Sequence, residues 1–153
     1  MYGKKAIAVF NTQEVEGYIR FREVSTTVTA EAFFTKLPPG KHGFHIHASG
    51  STVHGCDSAC AHWNPFGKKH GDSVSQERHA GDLGNIAEGR MYYYTLPDVA
   101  ITSLRPQYNL LGRTMIVHEK EDDLGKSNHP DSLTTGNSGK RIACAVIGLD
   151  EIC

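Results

Sequence analysis

Six histidines and one aspartate constrain this chain more than any other feature. They run His45-Ile-His47, His62, His70, His79-Ala-Gly-Asp82 and, far downstream, His118. A fold that uses them together must bring a strand, a Gly-rich loop and a distant segment to one place. His45 and His47 are two apart, so on a strand they project to the same face. His118 lies in the strand-like run Met115-Ile-Val-His-Glu119 and can complete a nitrogen set from a neighbouring strand. His70, His79 and Asp82 would come from the loop, with His62 between the two groups. Neutral imidazoles suit copper, and three nitrogens plus a carboxylate suit a closed tetrahedral zinc. His62 is then the natural bridge, one ring nitrogen per metal. It would have to lose its second proton, which two flanking dications make possible. Scattered surface histidines are the bland alternative, and the order of the residues fits it poorly.

The bounds suit a small enzyme. The 153 residues predict one domain, 1–153, long enough to bury about two-thirds of the unfolded chain's surface. The formal net charge of −1 points to no nucleic-acid or membrane partner. No apolar run approaches the roughly 18 residues of a membrane-spanning helix. The start, Met1 to Phe10, reads as a first strand rather than a signal peptide, and no Asn-x-Ser/Thr sequon occurs. A cytoplasmic location is the expectation.

The chain reads as all-β. Strands are predicted at Lys4 to Phe10, Val15 to Phe21, Thr26 to Thr35, Met91 to Tyr94, Thr114 to Glu119 and Ile142 to Leu149. Short strands with turns between them suggest a sandwich or barrel. Ser49 to Asn85 and Asp122 to Lys140 resist strand assignment, and loops that long are usually functional or disordered. The first carries most of the potential ligands and is expected to be functional.

A family resemblance rests on motifs spread over nearly the whole chain, in order. They are His42-Gly-Phe-His-Ile-His47, His62-Trp-Asn-Pro65, Lys69-His-Gly71, Glu77-Arg-His-Ala-Gly-Asp-Leu-Gly-Asn85, Gly112-Arg-Thr-Met-Ile-Val-His-Glu-Lys120, Asp122-Asp-Leu-Gly125 and Thr135-Gly-Asn-Ser-Gly-Lys-Arg-Ile-Ala-Cys144. They resemble copper/zinc superoxide dismutase. The resemblance implies an eight-stranded Greek-key β-sandwich or flattened barrel with two long functional loops. It implies dismutation of superoxide to oxygen and hydrogen peroxide, with one copper and one zinc per chain. Copper would be bound by His45, His47, His62 and His118, and zinc by His62, His70, His79 and Asp82. His62 would also take and return a proton. Asp122 would link His45 to His70. Arg141 would attract and orient the anion, and Thr135 would narrow the channel opposite it. Cys56 and Cys144 would form a disulfide tying the long loop to the last strand.

The chain also departs from the family. Cys60 stands where glycine is common, and Cys153 is terminal. They can be free thiols, a second bridge or intermolecular links. Pro130-Asp131-Ser-Leu-Thr134 replaces a more charged stretch, so part of the steering array is missing. Ser49 replaces a common aromatic in the loop that helps form the family's homodimer, while Leu149 keeps an apolar contact residue. Lys140 and Ile142 flank Arg141 where chaperone-dependent relatives tend to have prolines. A copper chaperone is therefore possible but expected not to be required. Trp63 and Tyr92-Tyr-Tyr94 read as core or strand aromatics, His54 and His129 as solvated, and His42 as packed. The rival is a non-catalytic metal-binding or copper-chaperone-type module of the same fold. Such modules usually lack a copper histidine or the arginine, and this chain has all of them.

Overall fold

The computed structural model describes residues 4–151 and 153. Ten strands follow in chain order: β1 (Lys5–Asn11), β2 (Glu16–Val24), β3 (Thr27–Lys36), β4 (His42–His47), β5 (Val53–Cys56), β6 (Asp82–Ile86), β7 (Met91–Pro97), β8 (Thr114–His118), β9 (Arg141–Val146) and β10 (Gly148–Leu149). One antiparallel sheet has the order β10-β1-β2-β3-β7, the other β6-β4-β8-β9. The chain crosses between sheets from β3 to β4, back from β6 to β7, and again from β7 to β8. This is Greek-key connectivity. The eight expected strands are the two four-stranded layers. β10 adds a short edge, and β5 belongs to neither sheet.

The first sheet has one core-facing side. Ala6, Ala8 and Phe10 of β1, Ile19 and Phe21 of β2, Val28 to Phe34 at alternate positions of β3, and Tyr94 and Leu96 of β7 are buried. That is the two-residue period of a strand with one solvated face. Phe10, Phe34 and Phe44 meet between the sheets with ring centroids 5.4–6.3 Å apart. β4 and β8 behave differently: every residue in both is buried. Phe44, Ile46, Met115 and Val117 join the core, whereas the alternate residues do not. His45, His47, Ile116 and His118 therefore share the outer face, which the long loops cover.

Two register shifts set up that face. Across β4 and β6 the pairing steps from Gly43–Asn85 to His45–Asp82. The extra residue falls on β6, at Gly84, whose φ of +71° is a left-handed conformation that suits glycine. An unbroken ladder would set Leu83 opposite His45. The bulge keeps Leu83 in the core and turns Asp82 toward the histidine. Across β8 and β9 the pairing steps from Val117–Ala143 to His118–Arg141. Ile142 is the extra residue; it packs against the core, and Arg141 lands opposite His118.

The sequence reading needs two corrections. The stretch Ser49 to Asn85 contains β5 and overlaps β6. The run Ile142 to Leu149 is also not one strand. It breaks at buried Ile147, with β9 in one sheet and β10 in the other.

Candidate metal centre

His45, His47, His62 and His118 are all buried, and each offers a ring nitrogen within 4.8 Å of the others'. β4 supplies two of them from one face, β8 supplies His118, and an isolated bridge from His47 brings in His62. Their outer nitrogens are already committed. His47 Nδ1–H donates to the Cys60 carbonyl at 2.7 Å, and His118 Nδ1–H to the Gly139 carbonyl at 3.0 Å. His45 Nε2–H donates to Asp122 Oδ2 at 2.6 Å. Each bond fixes a tautomer and leaves the inward nitrogen with a lone pair. Those inward atoms, His45 Nδ1, His47 Nε2 and His118 Nε2, together with His62 Nε2, are buried and have no hydrogen-bond partner. Buried polar atoms normally find one. Four unpartnered imidazole nitrogens facing one another make a donor set for a cation such as copper.

The second set lies on the other side of His62. His62 Nδ1 is 2.9 Å from Asp82 Oδ1 and 3.1 Å from His79 Nδ1. His70 Nδ1 is 2.9 Å, and His79 Nδ1 3.3 Å, from the same oxygen. His70 Nε2–H donates to Asp122 Oδ1 at 2.7 Å, so in the neutral ring His70 Nδ1 carries a lone pair facing an oxygen lone pair. Two acceptors at that distance need a cation or an added proton between them. Zinc–ligand bonds of about 2.0–2.1 Å imply tetrahedral edges of roughly 3.3 Å, near these separations. His45 also lies within 4.8 Å of this group. Its Nδ1 belongs with the other nitrogens, however, and His79 is the better fourth donor.

Electrostatics follow burial and partner. Desolvation holds His47 down at about 2 and His118 at about 4, and also lowers His45 and His62. His70 goes the other way. Burial opposes its charge, but the Asp122 and Asp82 carboxylates outweigh burial and raise it to about 9. Asp82 is held far below the ordinary carboxylate range: burial opposes its charge, and the histidine hydrogen bonds dominate.

These shifts predict how the metal-stripped protein responds to pH. Below about pH 6.5 the unfolded chain protonates imidazoles that the fold keeps neutral, so stability falls as pH drops toward 4. The contribution of His70 is fully present below about 6.5 and is lost as pH rises through 9. Melting temperature against pH should therefore peak near neutrality once metals are chelated. A flat profile from pH 4 to 7 would show that the buried imidazoles are not held neutral.

The outer supports were only partly foreseen. Asp122 joins His45 to His70, as the resemblance implied. Asn85 locks it in turn, donating to the Asp122 carbonyl at 3.0 Å and accepting its N–H at 2.7 Å. A side chain at Gly136 would collide with Asp122 Oδ1 and His70 Nε2. Arg78 donates to the carbonyls of Ser73, His79, Ala80 and Asp82, clamping the loop that carries two donors. Both Asn85 and Arg78 stand inside a quoted motif, but no spacing rule reveals their partners.

Arg141 donates to the Cys56 carbonyl at 3.0 Å and the Cys60 carbonyl at 2.6 Å. Cys56 and Cys144 form the disulfide, while Cys60 and Cys153 are free and exposed. Thr135 is exposed on the turn after Asp131, where its hydroxyl donates to the Asp131 carbonyl. It makes no hydrogen bond to Arg141 or the histidines among the described residues. His42 is packed between the His118 and Pro38 carbonyls, and Trp63 is buried beneath the Arg113 guanidinium. His54 and His129 are exposed.

Comparison with known proteins agrees with this centre. Residues 15–147 match the family described as copper/zinc superoxide dismutase (SODC). A superoxide dismutase (Cu-Zn) 2 of Mesembryanthemum crystallinum is 46% identical over 149 residues, covering 95% of each chain. A superoxide dismutase (Cu-Zn) A of Xenopus laevis is 46% identical over 147 residues, covering 94% of this chain and 97% of its own. A crystal structure of the clock protein EA4 superposes with a TM-score of 0.85 at 40% identity, covering 97% of this chain and 96% of that one. The chain thus belongs to the copper/zinc superoxide dismutase family, enzymes that convert superoxide to oxygen and hydrogen peroxide with copper and zinc as their metals.

Proposed function

We propose that His45 Nδ1, His47 Nε2, His62 Nε2 and His118 Nε2 hold the copper, and that His62, His70, His79 and Asp82 hold the zinc. The observation that carries this reading is the set of four buried, unpartnered imidazole nitrogens. Copper supplies one-electron redox chemistry and zinc a fixed charge without redox change. The chain's own residues do the rest. His62 Nε2 is the atom that holds a proton and yields it to the reduced substrate. Asp122 keeps His45 and His70 in their tautomers. Arg141, tethered by loop carbonyls on one side, attracts and orients the superoxide anion. Thr135 narrows the approach. A non-catalytic module would lack part of this set, and nothing here favours that rival.

The chain works as one domain, 1–153, and as a homodimer. Val53, Val146 and Leu149 are exposed apolar side chains on β5, β9 and β10, and such a group supports association between copies. No helix of the described structure is long and apolar enough to cross a membrane, and the cytoplasm is the proposed location. Copper loading is proposed to proceed without a dedicated chaperone, given Lys140 and Ile142 beside Arg141.

Arg141→Ile tests the steering role. Both metals should remain bound, kcat/KM should fall by well over half, and the salt dependence should flatten. With Pro130 and Thr134 in the loop, less of the field comes from that loop. Thr134→Lys should therefore raise the low-salt rate modestly. Wild-type rate and salt slope in Arg141→Ile would remove the arginine from the substrate path.

A further inference from the structure

We propose that Cys60 is an internal nucleophile for the Cys56–Cys144 disulfide, giving the protein a second, local pairing, Cys56–Cys60. The backbones of Cys56 and Cys60 are held by one guanidinium. Arg141 stands three residues before Cys144 on β9 and binds the carbonyls of both Cys56 and Cys60. Cys56 and Cys60 flank a single 3₁₀ turn, Asp57–Ala59, so they are four residues apart. The Cys60 thiol folds back over that turn to the Ser58 carbonyl at 3.6 Å and is exposed. An exposed free thiol four residues from a disulfide-bonded cysteine, on the same short turn, can reach that cysteine for intramolecular exchange once the turn flexes.

The step balances without an added oxidant or reductant. The Cys60 thiolate attacks Cys56 Sγ. A Cys56–Cys60 bond forms, the Cys56–Cys144 bond breaks, and Cys144 leaves as a thiolate that takes up the proton Cys60 gave. The existing pair closes 88 residues and the local pair closes four. Loop-closure scaling favours the local pair by roughly 100-fold wherever the native fold does not hold Cys144 in place. Packing of β9 against the loop opposes this in the folded protein. The pairing would then report how firmly the loop is docked, and the exchange would release the loop that carries His62 from β9.

The test uses the full-length metal-loaded protein in a Cys153→Ser background, which leaves Cys60 as the one free thiol. The protein is held at pH 8 in urea near its unfolding midpoint, where the fold no longer holds Cys144 in place, then quenched in acid, alkylated and mapped by mass spectrometry. Cys144 should become alkylatable while Cys56 and Cys60 become linked, with a rate rising about tenfold per pH unit below the thiol's titration. Adding Cys60→Ser should slow Cys144 release at least tenfold. A second variant isolates the local bond from the equilibrium. Cys144→Ser/Cys153→Ser in a glutathione redox buffer should form Cys56–Cys60 rather than a glutathione adduct. Cys144 that stays bonded throughout, release unchanged by Cys60→Ser, or glutathione adducts in place of the local bond would each overturn the proposal.

Discussion

His118→Ala should abolish dismutation while zinc stays bound. His118 brings one of the four inward nitrogens and contributes nothing to the Asp82 cluster. Losing a supporting group near a metal costs about 10–100-fold in affinity or activity, and losing a ligand should cost at least the upper figure. His118 Nδ1 also ties β8 to the Gly139 carbonyl, so some loss of stability is expected as well. Two readouts separate these effects: zinc content by elemental analysis, and superoxide consumption at saturating copper. Near-normal turnover with zinc retained would mean that copper is held elsewhere.

Cys144→Ser should be the most destabilising single change outside the metal sets. The disulfide closes a loop of 88 residues, and chain entropy assigns such a loop about 4–5 kcal/mol. For a domain of this size that corresponds to a fall of roughly 10–20 °C in melting temperature. The loss should be concentrated in the segment from β5 to β6. Arg141 would keep its hydrogen bonds to Cys56 and Cys60, but the covalent tie that holds their carbonyls near β9 would be gone. Hydrogen exchange should quicken in residues 49–81 before it quickens in β1, β2 and β3. Uniform acceleration across the sandwich would show that the disulfide steadies the whole fold rather than that loop.

The first sheet was legible because its strands alternate. Ala6, Ala8 and Phe10, or Val28 through Phe34, bury every second residue, and that period is visible in the chain. The second sheet was harder. β4 and β8 are buried on both faces, so hydrophobicity does not alternate; histidines occupy the outer face where a solvated strand would carry polar residues. β6 was hidden because its bulge at Gly84 breaks the period, and the bulge at Ile142 likewise disguises where β9 begins. Those two shifts turn Asp82 and Arg141 toward the histidines, so the irregularities that blurred the strands are part of the site. The donor residues themselves were legible from their types and spacing. Their backbone partners were not: the Cys60 and Gly139 carbonyls that fix two tautomers leave no mark on side-chain identity, because any residue supplies a carbonyl.

Metal content measured beside catalysis tests the central claim most directly. The purified protein, loaded with both metals, should hold about one copper and one zinc per chain, and its dismutation rate should scale with copper content. A single metal per chain, or both metals bound with no superoxide consumption, would contradict the account.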